Sequence, residues 1–295
     1  MTAMPATAVP GRGSTVRSLG LVETKRLARH PVFLIGVAMN VFILATSVND
    51  ATFDYYNVAI STGFFVGLFS TVVMYRLTRS MEKAAPAVDS SPATHRDRVL
   101  ALCCATVLPA LVGLLSLVAI LVFRDVSEPL AYGGIGASDR FAILFGETVL
   151  ACIGGPLLGV AVGRWWRFPG ASALLFVGLL FWVLAGEGTT DSGKSADWAN
   201  AIRLSSPWTQ FTSVESDLRE LQVWGGSPWW YLGWLTALCG LALLGALLKG
   251  AEGEQRTRVL RTGAVVGGLG VICLVLAVTT GLDPALHTPA GVKPL

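Results

Sequence analysis

Residues 188–195 read GTTDSGKS, a full match to the phosphate-cradling pattern G-x-x-x-x-G-K-[ST]. The chemistry of that pattern is nucleotide binding, with backbone amides and the lysine around phosphates and an acidic residue on another strand holding magnesium. It requires a βαβ context. Here the preceding run, Gly170 to Gly186, is of membrane length and no apolar strand ending in Asp follows, so the stretch reads as a polar external loop. His30, His95 and His287 lie far apart without Cys or carboxylate companions at ligand spacing, which leaves a metal site without support. The five cysteines all fall in apolar runs and read as packing residues. Two polar residues lie inside apolar runs. Glu147 sits about two turns into one of them, where a carboxyl either faces a cavity or polar partner or stays near enough to the surface to be hydrated. Asn40, midway along another, is suited to hydrogen bonding between helices.

The scaffold that must position these residues is membrane-embedded. Of 295 residues, 53% are hydrophobic and 14% charged, and the mean hydropathy is +0.62. Those values lie far from a soluble globular domain. Seven runs reach bilayer-spanning length, at 31–49, 57–75, 99–123, 141–163, 170–186, 229–248 and 262–281. An odd number puts the termini on opposite sides. With the amino terminus inside, cytoplasmic segments hold 16 of the 22 Lys and Arg, so the positive-inside rule predicts a multi-pass cell-membrane protein with an external carboxyl terminus. The net charge of +3 then reflects orientation and does not point to nucleic acid.

Residues 1–13 are rich in Pro, Ala, Gly and Thr and read as disordered. Over 14–30, Val16, Leu19, Val22 and Leu27 share one side of a helix while Arg17, Lys25, Arg26 and Arg29 take the other, predicting an amphipathic helix on the cytoplasmic leaflet. Loop 76–98 is the most basic interval between two apolar runs and carries Arg76, Arg79, Lys83, Arg96 and Arg98. Leu77–Ala85 can continue as helix, Pro86 stops it, and Asp89, Ser90 and Ser91 before Pro92 form the next N-cap. A short helix held between two spans is expected there. Gly63 with Gly67, and Gly155 with Gly159 and Gly163, have the spacing for close helix approach, within the chain or between copies. In the external segment 187–228, Thr212 with Glu215, the stripe Val214, Leu218 and Leu221, and the stop Gly225 predict a helix at the outer interface among Trp198, Trp208, Trp224, Trp229 and Trp230.

This order resembles the membrane subunits of type 2 ABC exporters, particularly actinobacterial permeases. The matching parts are the ETKRLARHP stretch with Glu23, Lys25, Arg26 and Arg29, a hairpin, the RSMEKAAP loop, and a long external segment before the sixth span. The resemblance covers residues 14–250. It implies a six-span domain over 31–250, to which residues 251–295 add a cytoplasmic turn, a seventh span and an external tail. It also implies that the loop helix is a coupling helix, docking through Arg79, Ser80, Glu82 and Lys83 on a separate cytoplasmic ATPase subunit, with the basic interfacial helix in support. A short helix with charges of both signs can form rim ion pairs and pass a rigid push to two spans at once. A second permease subunit, identical or different, would complete the assembly. ATP and magnesium would sit on the ATPase, and this chain would bind no cofactor and catalyse nothing itself. An apolar, aromatic pathway with Asn40 or Glu147 as polar contacts suits an amphipathic cargo such as a lipid, drug or peptide. Two other classes compete: a non-transporting sensory or interaction subunit using the same loop, and a membrane-embedded enzyme built around Glu147.

Overall fold

The computed structural model describes residues 12–48, 55–84, 93–123, 135–187, 197–214, 221–283 and 285–287. All seven apolar runs are helical, as they must be where no water is present to satisfy backbone groups. In chain order the elements are α1 (Arg12–Ala28), α2 (Pro31–Val48) and α3 (Tyr55–Thr62), which passes through a π-helical turn (Gly63–Leu68) into α4 (Phe69–Ala84). Then come α5 (His95–Cys104), α6 (Val107–Phe123) and α7 (Ala137–Phe145), which passes through a second π-helical turn (Gly146–Leu150) into α8 (Ala151–Trp165). The rest comprises α9 (Ala171–Glu187), α10 (Asp197–Ser205), β1 (Thr212–Val214), β2 (Leu221–Val223), α11 (Pro228–Leu248), α12 (Gly253–Thr279) and β3 (Ala285–His287).

Five helical stretches are long and apolar enough to cross a membrane: Val58–Ala84, His95–Val122, Ala137–Trp165, Pro228–Leu248 and Gly253–Thr279. The pair Gly13–Ala28 and Pro31–Ser47, bent by 66°, makes a sixth if it is one span, and Ala171–Gly186 is a shorter apolar helix. Length alone therefore counts five or six spans against the seven runs of the sequence. Large apolar side chains cover the outside of the bundle, among them Ile35 and Phe42 on α2, Leu115 and Val122 on α6, Phe181 on α9, and Val265 and Ile272 on α12. Such a surface belongs in lipid. The chain is an all-α polytopic membrane protein.

The centre of the bundle is the seam between α4 and α8. A Cβ on Gly155 would stand 2.6 Å from the Gly67 carbonyl oxygen, and one on Gly163 would stand 2.9 Å from Thr78 Cβ, while Gly159 faces the Thr71 carbonyl. The glycine stripe is thus used inside the chain, and the two backbones touch because no side chain separates them. Helix α11 packs on α8, and α12 lies outermost with only Gly270 and Ala277 buried.

Several local readings change. On α1, Val22 is exposed together with Leu21; the packed stripe is Val16, Gly20 and Leu27. The reason is Gly20, where α1 comes close enough to α5 that a Cβ would lie 3.3 Å from Cys104 Cβ. The elbow after α1 follows from Pro31, which disfavours helix at His30; the Val32 N–H donates to His30 Nδ1 at 3.3 Å. Helix α4 runs unbroken to Ala84, so residues 77–84 extend a span and are not a separate helix. The N-cap of α5 is Thr94, whose Oγ1 accepts the Asp97 N–H at 3.2 Å while the Asp97 carboxylate accepts the Thr94 N–H at 3.3 Å. The Asp89–Pro92 signal lies outside the described residues, as does GTTDSGKS. The break between α5 and α6 falls just before Pro109, which has no N–H, and the Ala105 carbonyl accepts from Leu108 at 3.2 Å instead.

Of the stretch expected to be a helix from Thr212, residues 212–214 and 221–223 are antiparallel strands, with Thr212 opposite Val223 and Val214 opposite Leu221, and β3 adds a third strand beside β2; Glu215 and Leu218 lie outside the described residues. A single helical turn or two nucleates poorly, whereas two partner strands satisfy the same backbone groups. One of those partners lies more than sixty residues away, at Ala285–His287, and no local pattern announces it.

Gly159→Leu is expected to lower the melting temperature of the purified protein sharply, with a cost of about 1–3 kcal/mol from overpacking. Gly178→Ala, where an added Cβ meets nothing within 4 Å, is expected to leave it unchanged or higher. Equal melting temperatures for the two variants would show that the seam does not carry the fold.

Candidate functional site

The ends of α4, α5, α8 and α11 meet around one carboxylate. Glu82, in the last turn of α4, has a side chain 10% exposed, and three cations converge on it, with the His95 imidazole alongside. His95 Nε2 and Arg164 Nε lie 3.3 and 3.4 Å from its Oε1. Arg167 Nη2 and Lys249 Nζ lie 3.5 and 3.8 Å from its Oε2. Burial at this depth is tolerated because the cations supply what water would have supplied.

Arg164 is the inner anchor, only 2% exposed. Its guanidinium donates to the Ala246 carbonyl on α11 and from Nη2 to His95 Nε2 at 2.8 Å, which requires the unprotonated nitrogen of a neutral imidazole. Lys249 donates to the Arg164 carbonyl. The turn after α8 is pinned as well: Tyr75 Oη donates to the Trp166 carbonyl at 3.3 Å, Arg79 Nη2 to that of Arg167 at 3.3 Å, and Trp165 Nε1 to that of Gly245 at 2.9 Å. Burial lowers the Lys249 ammonium below its ordinary range, opposed by Glu82 and reinforced by Arg167, Arg164 and Arg79.

Of the residues expected to face a partner, Glu82 does not: it is turned into its own bundle. Its long-range partners, Arg164 and Lys249, sit 82 and 167 residues further on, at the ends of apolar runs whose basic residues read only as topology signals. Lys83 is exposed, Arg79 is half-buried beside the Arg167 turn, and Ser80 Oγ accepts from Arg26 Nη2 at 3.0 Å. Arg26 also pairs with Glu23 at 2.9 Å, while Lys25 and Arg29 face outward. The structure therefore joins the two sets of residues singled out on α1 and α4, through the Arg26–Ser80 contact.

The proposed pathway residues lie elsewhere. Asn40 is 1% exposed and saturated by its neighbours: its Nδ2 donates to Ser116 Oγ at 2.9 Å and its Oδ1 accepts from Thr62 Oγ1 at 2.8 Å. It ties α2, α3 and α6 together, as expected of a residue suited to hydrogen bonding between helices. Glu147, also 1% exposed, lies within the second π-helical turn. Its depth is therefore within the packed protein and not at a hydrated surface. An apolar cavity of about 320 Å³ lies between α8, α9 and α11, walled by Leu158, Leu179, Leu238 and Ala242 and closed by Trp182 and Trp208; neither Asn40 nor Glu147 lines it.

The roof of that cavity is held by a second buried cation. Arg203, 1% exposed, donates to the carbonyls of Gln210 and Gly225 and to Asn200 Oδ1 at 3.1 Å, and its guanidinium carbon lies 5.3 Å from the Phe211 ring centre. Tyr231 Oη donates to the Ser206 carbonyl at 2.9 Å and Trp234 Nε1 to that of Ser205 at 3.1 Å, so α10 and the following turn are fastened to α11. Arg203 lies within the external segment 187–228, and its neighbours in the sequence give no signal that it is buried.

Comparison of the chain with protein-family models, with curated proteins and with solved structures finds no match.

Glu82→Gln is expected to destabilise the purified protein by about 3–5 kcal/mol, because it leaves buried cations uncompensated. Lys83→Gln, on the exposed side of the same turn, should change stability by no more than about 0.5 kcal/mol. Denaturation of the two variants in one detergent checks this. A second prediction concerns the elbow. Burial first, and then the Arg76 charge, hold the His30 imidazole below its ordinary 6.5. The unfolded chain therefore binds a proton more readily, so stability is full above that range and falls as pH drops below it. His30→Asn keeps a capping acceptor without a titration and should flatten this part of the pH–stability curve.

Proposed function

We propose that this chain is the membrane-spanning permease subunit of an ATP-driven exporter, working with cytoplasmic ATPase subunits and a second permease subunit, identical or different. In this reading the end of the bundle bearing Glu82 faces the cytoplasm of the cell, the amino terminus lies inside and the carboxyl terminus outside. The observation that carries the reading is the way the last turns of α4 are tied in. One carboxylate, Glu82, pairs with cations at the ends of α8 and α11, and Ser80 joins α4 to α1. A partner pushing on this end of α4 would move several helices as one body, which is what a coupling element requires. ATP binding and hydrolysis belong to the partner, and this chain contributes no covalent catalysis.

The division of labour within the loop differs from a row of equivalent contacts. Lys83, and beside it Arg79 and Ser80, are the residues offered to the ATPase, supported by Lys25 and Arg29 on α1. Glu82 acts behind them by holding the loop to the bundle. The apolar cavity between α8, α9 and α11 favours an amphipathic cargo whose hydrocarbon part enters from the membrane: a lipid, drug or peptide. Nothing about the cavity favours an enzyme, since its walls carry no converging polar side chains.

Purification of the full chain from its native membrane, with mass spectrometry of what accompanies it, tests the reading. A soluble subunit carrying a phosphate loop is expected, and Arg79→Glu with Lys83→Glu is expected to reduce its recovery several-fold, while Arg258→Glu on α12 leaves recovery unchanged. Recovery of the chain with membrane partners only, or a complex whose ATP hydrolysis ignores every amphipathic candidate, would favour a sensory subunit instead.

A further inference from the structure

The charges around Glu82 do not balance. Three cationic side chains, Arg164, Arg167 and Lys249, lie within 4 Å of its carboxylate, and it is the one carboxylate within that distance of any of them among the described residues. Arg164 is enclosed and uses Oε1, whereas Arg167 and Lys249 share Oε2 and retain access to the outside, with side chains 63% and 20% exposed. Arg79 adds a further positive charge next to this pair by its bond to the Arg167 carbonyl. Two cationic nitrogens within 4 Å of one oxygen are close enough together to bind one additional anion between them. A phosphate group, with several acceptor oxygens, matches both an arginine fork and a lysine ammonium.

The same turn identifies the kind of molecule that carries the phosphate. Trp165, Trp166 and Phe168 are all exposed, and the Trp166 and Phe168 rings lie 6.0 Å apart. Next to them on α9, Leu174 and Val177 face outward. Cations in the same turn as exposed aromatic rings, followed along the chain by outward apolar residues of α9, match the order of a lipid molecule: headgroup, interface and acyl chain. We propose that Arg167 and Lys249 bind the phosphate of an anionic phospholipid, with Trp166 and Phe168 against the upper part of its chains. The lipid would act as a counter-ion to the surplus charge and seal the end of the bundle. This inference does not rest on the export reading.

The test uses the purified, delipidated full chain in neutral detergent, with thermal unfolding as the readout. Phosphatidylglycerol is expected to raise the melting temperature saturably, and phosphatidylcholine and millimolar inorganic phosphate are not. Arg167→Gln and Lys249→Gln are each expected to weaken the phosphatidylglycerol response about fivefold, while Arg258→Gln, a distant exposed arginine, leaves it intact. Arg167→Lys, which keeps the charge and loses the fork, should fall between. Equal responses to the two lipids, or equal losses in all three glutamine variants, would overturn the site in favour of diffuse surface attraction. A response reproduced by inorganic phosphate would assign the site to a free anion. A response to an acidic peptide but not to phosphatidylglycerol would assign it to a protein partner. Either result ends the lipid proposal, and none of these outcomes depends on an ATPase being present.

Discussion

The contact on which the molecule depends is the backbone seam between α4 and α8. Gly155, Gly159 and Gly163 lie against the Gly67, Thr71 and Tyr75–Thr78 backbone, so the two helices approach as closely as helices can. In lipid there is no hydrophobic force to hold helices together, and close packing of small residues takes its place. Because α4 carries Glu82 at its end and α8 carries Arg164 at its end, the same seam brings the buried carboxylate to the buried guanidinium. Each helix also contains a π-helical turn further along, at Gly63–Leu68 and Gly146–Leu150. Gly63 there faces both the Glu147 carbonyl and the Trp208 ring, so close approach continues through the irregular part of both spans.

The two ends of the bundle are closed by the same physical device in different surroundings. At one end Arg164 is buried and its charge is met by Glu82 and by acceptors on two other helices. At the other end Arg203 is buried and satisfied by carbonyl oxygens, an amide and an aromatic face. A guanidinium has five donors in a rigid plane, which lets one side chain hold several chain segments at once. The difference lies in the remaining charge. Arg203 has no other cation among its described partners, whereas Arg164 stands next to Arg167 and Lys249, which leaves an anion-attracting surface beside the exposed Trp166 and Phe168.

Between these ends the polar groups serve cohesion. Asn40, Thr62 and Ser116 form a closed hydrogen-bonded set joining three helices, and the hydroxyls of Thr71 and Thr78 return to carbonyls of their own helix. The apolar cavity against α8, α9 and α11 lies apart from that set, and its walls are mostly leucine, alanine, glycine and tryptophan.

The amino-acid sequence by itself determined the solvent of this protein and its helical class, because runs of twenty apolar residues leave a chain no other stable state. It also marked the glycine stripe on α8 and the polarity of α1 at Arg17, Lys25, Arg26 and Arg29, since each depends on neighbours within two helical turns. The tertiary structure decided everything that depends on residues far apart in the chain. Glu82 reads locally as one of several loop charges and becomes internal only when Arg164 and Lys249 arrive from 82 and 167 residues away. Asn40 reads as suited to hydrogen bonding between helices, and only the fold names its partners, Thr62 and Ser116. Thr212–Val214 reads as the start of a helix until β2 supplies its strand partner and β3 closes on the other side of β2. Local pattern reports which groups need a partner; only the fold shows which distant group meets the need.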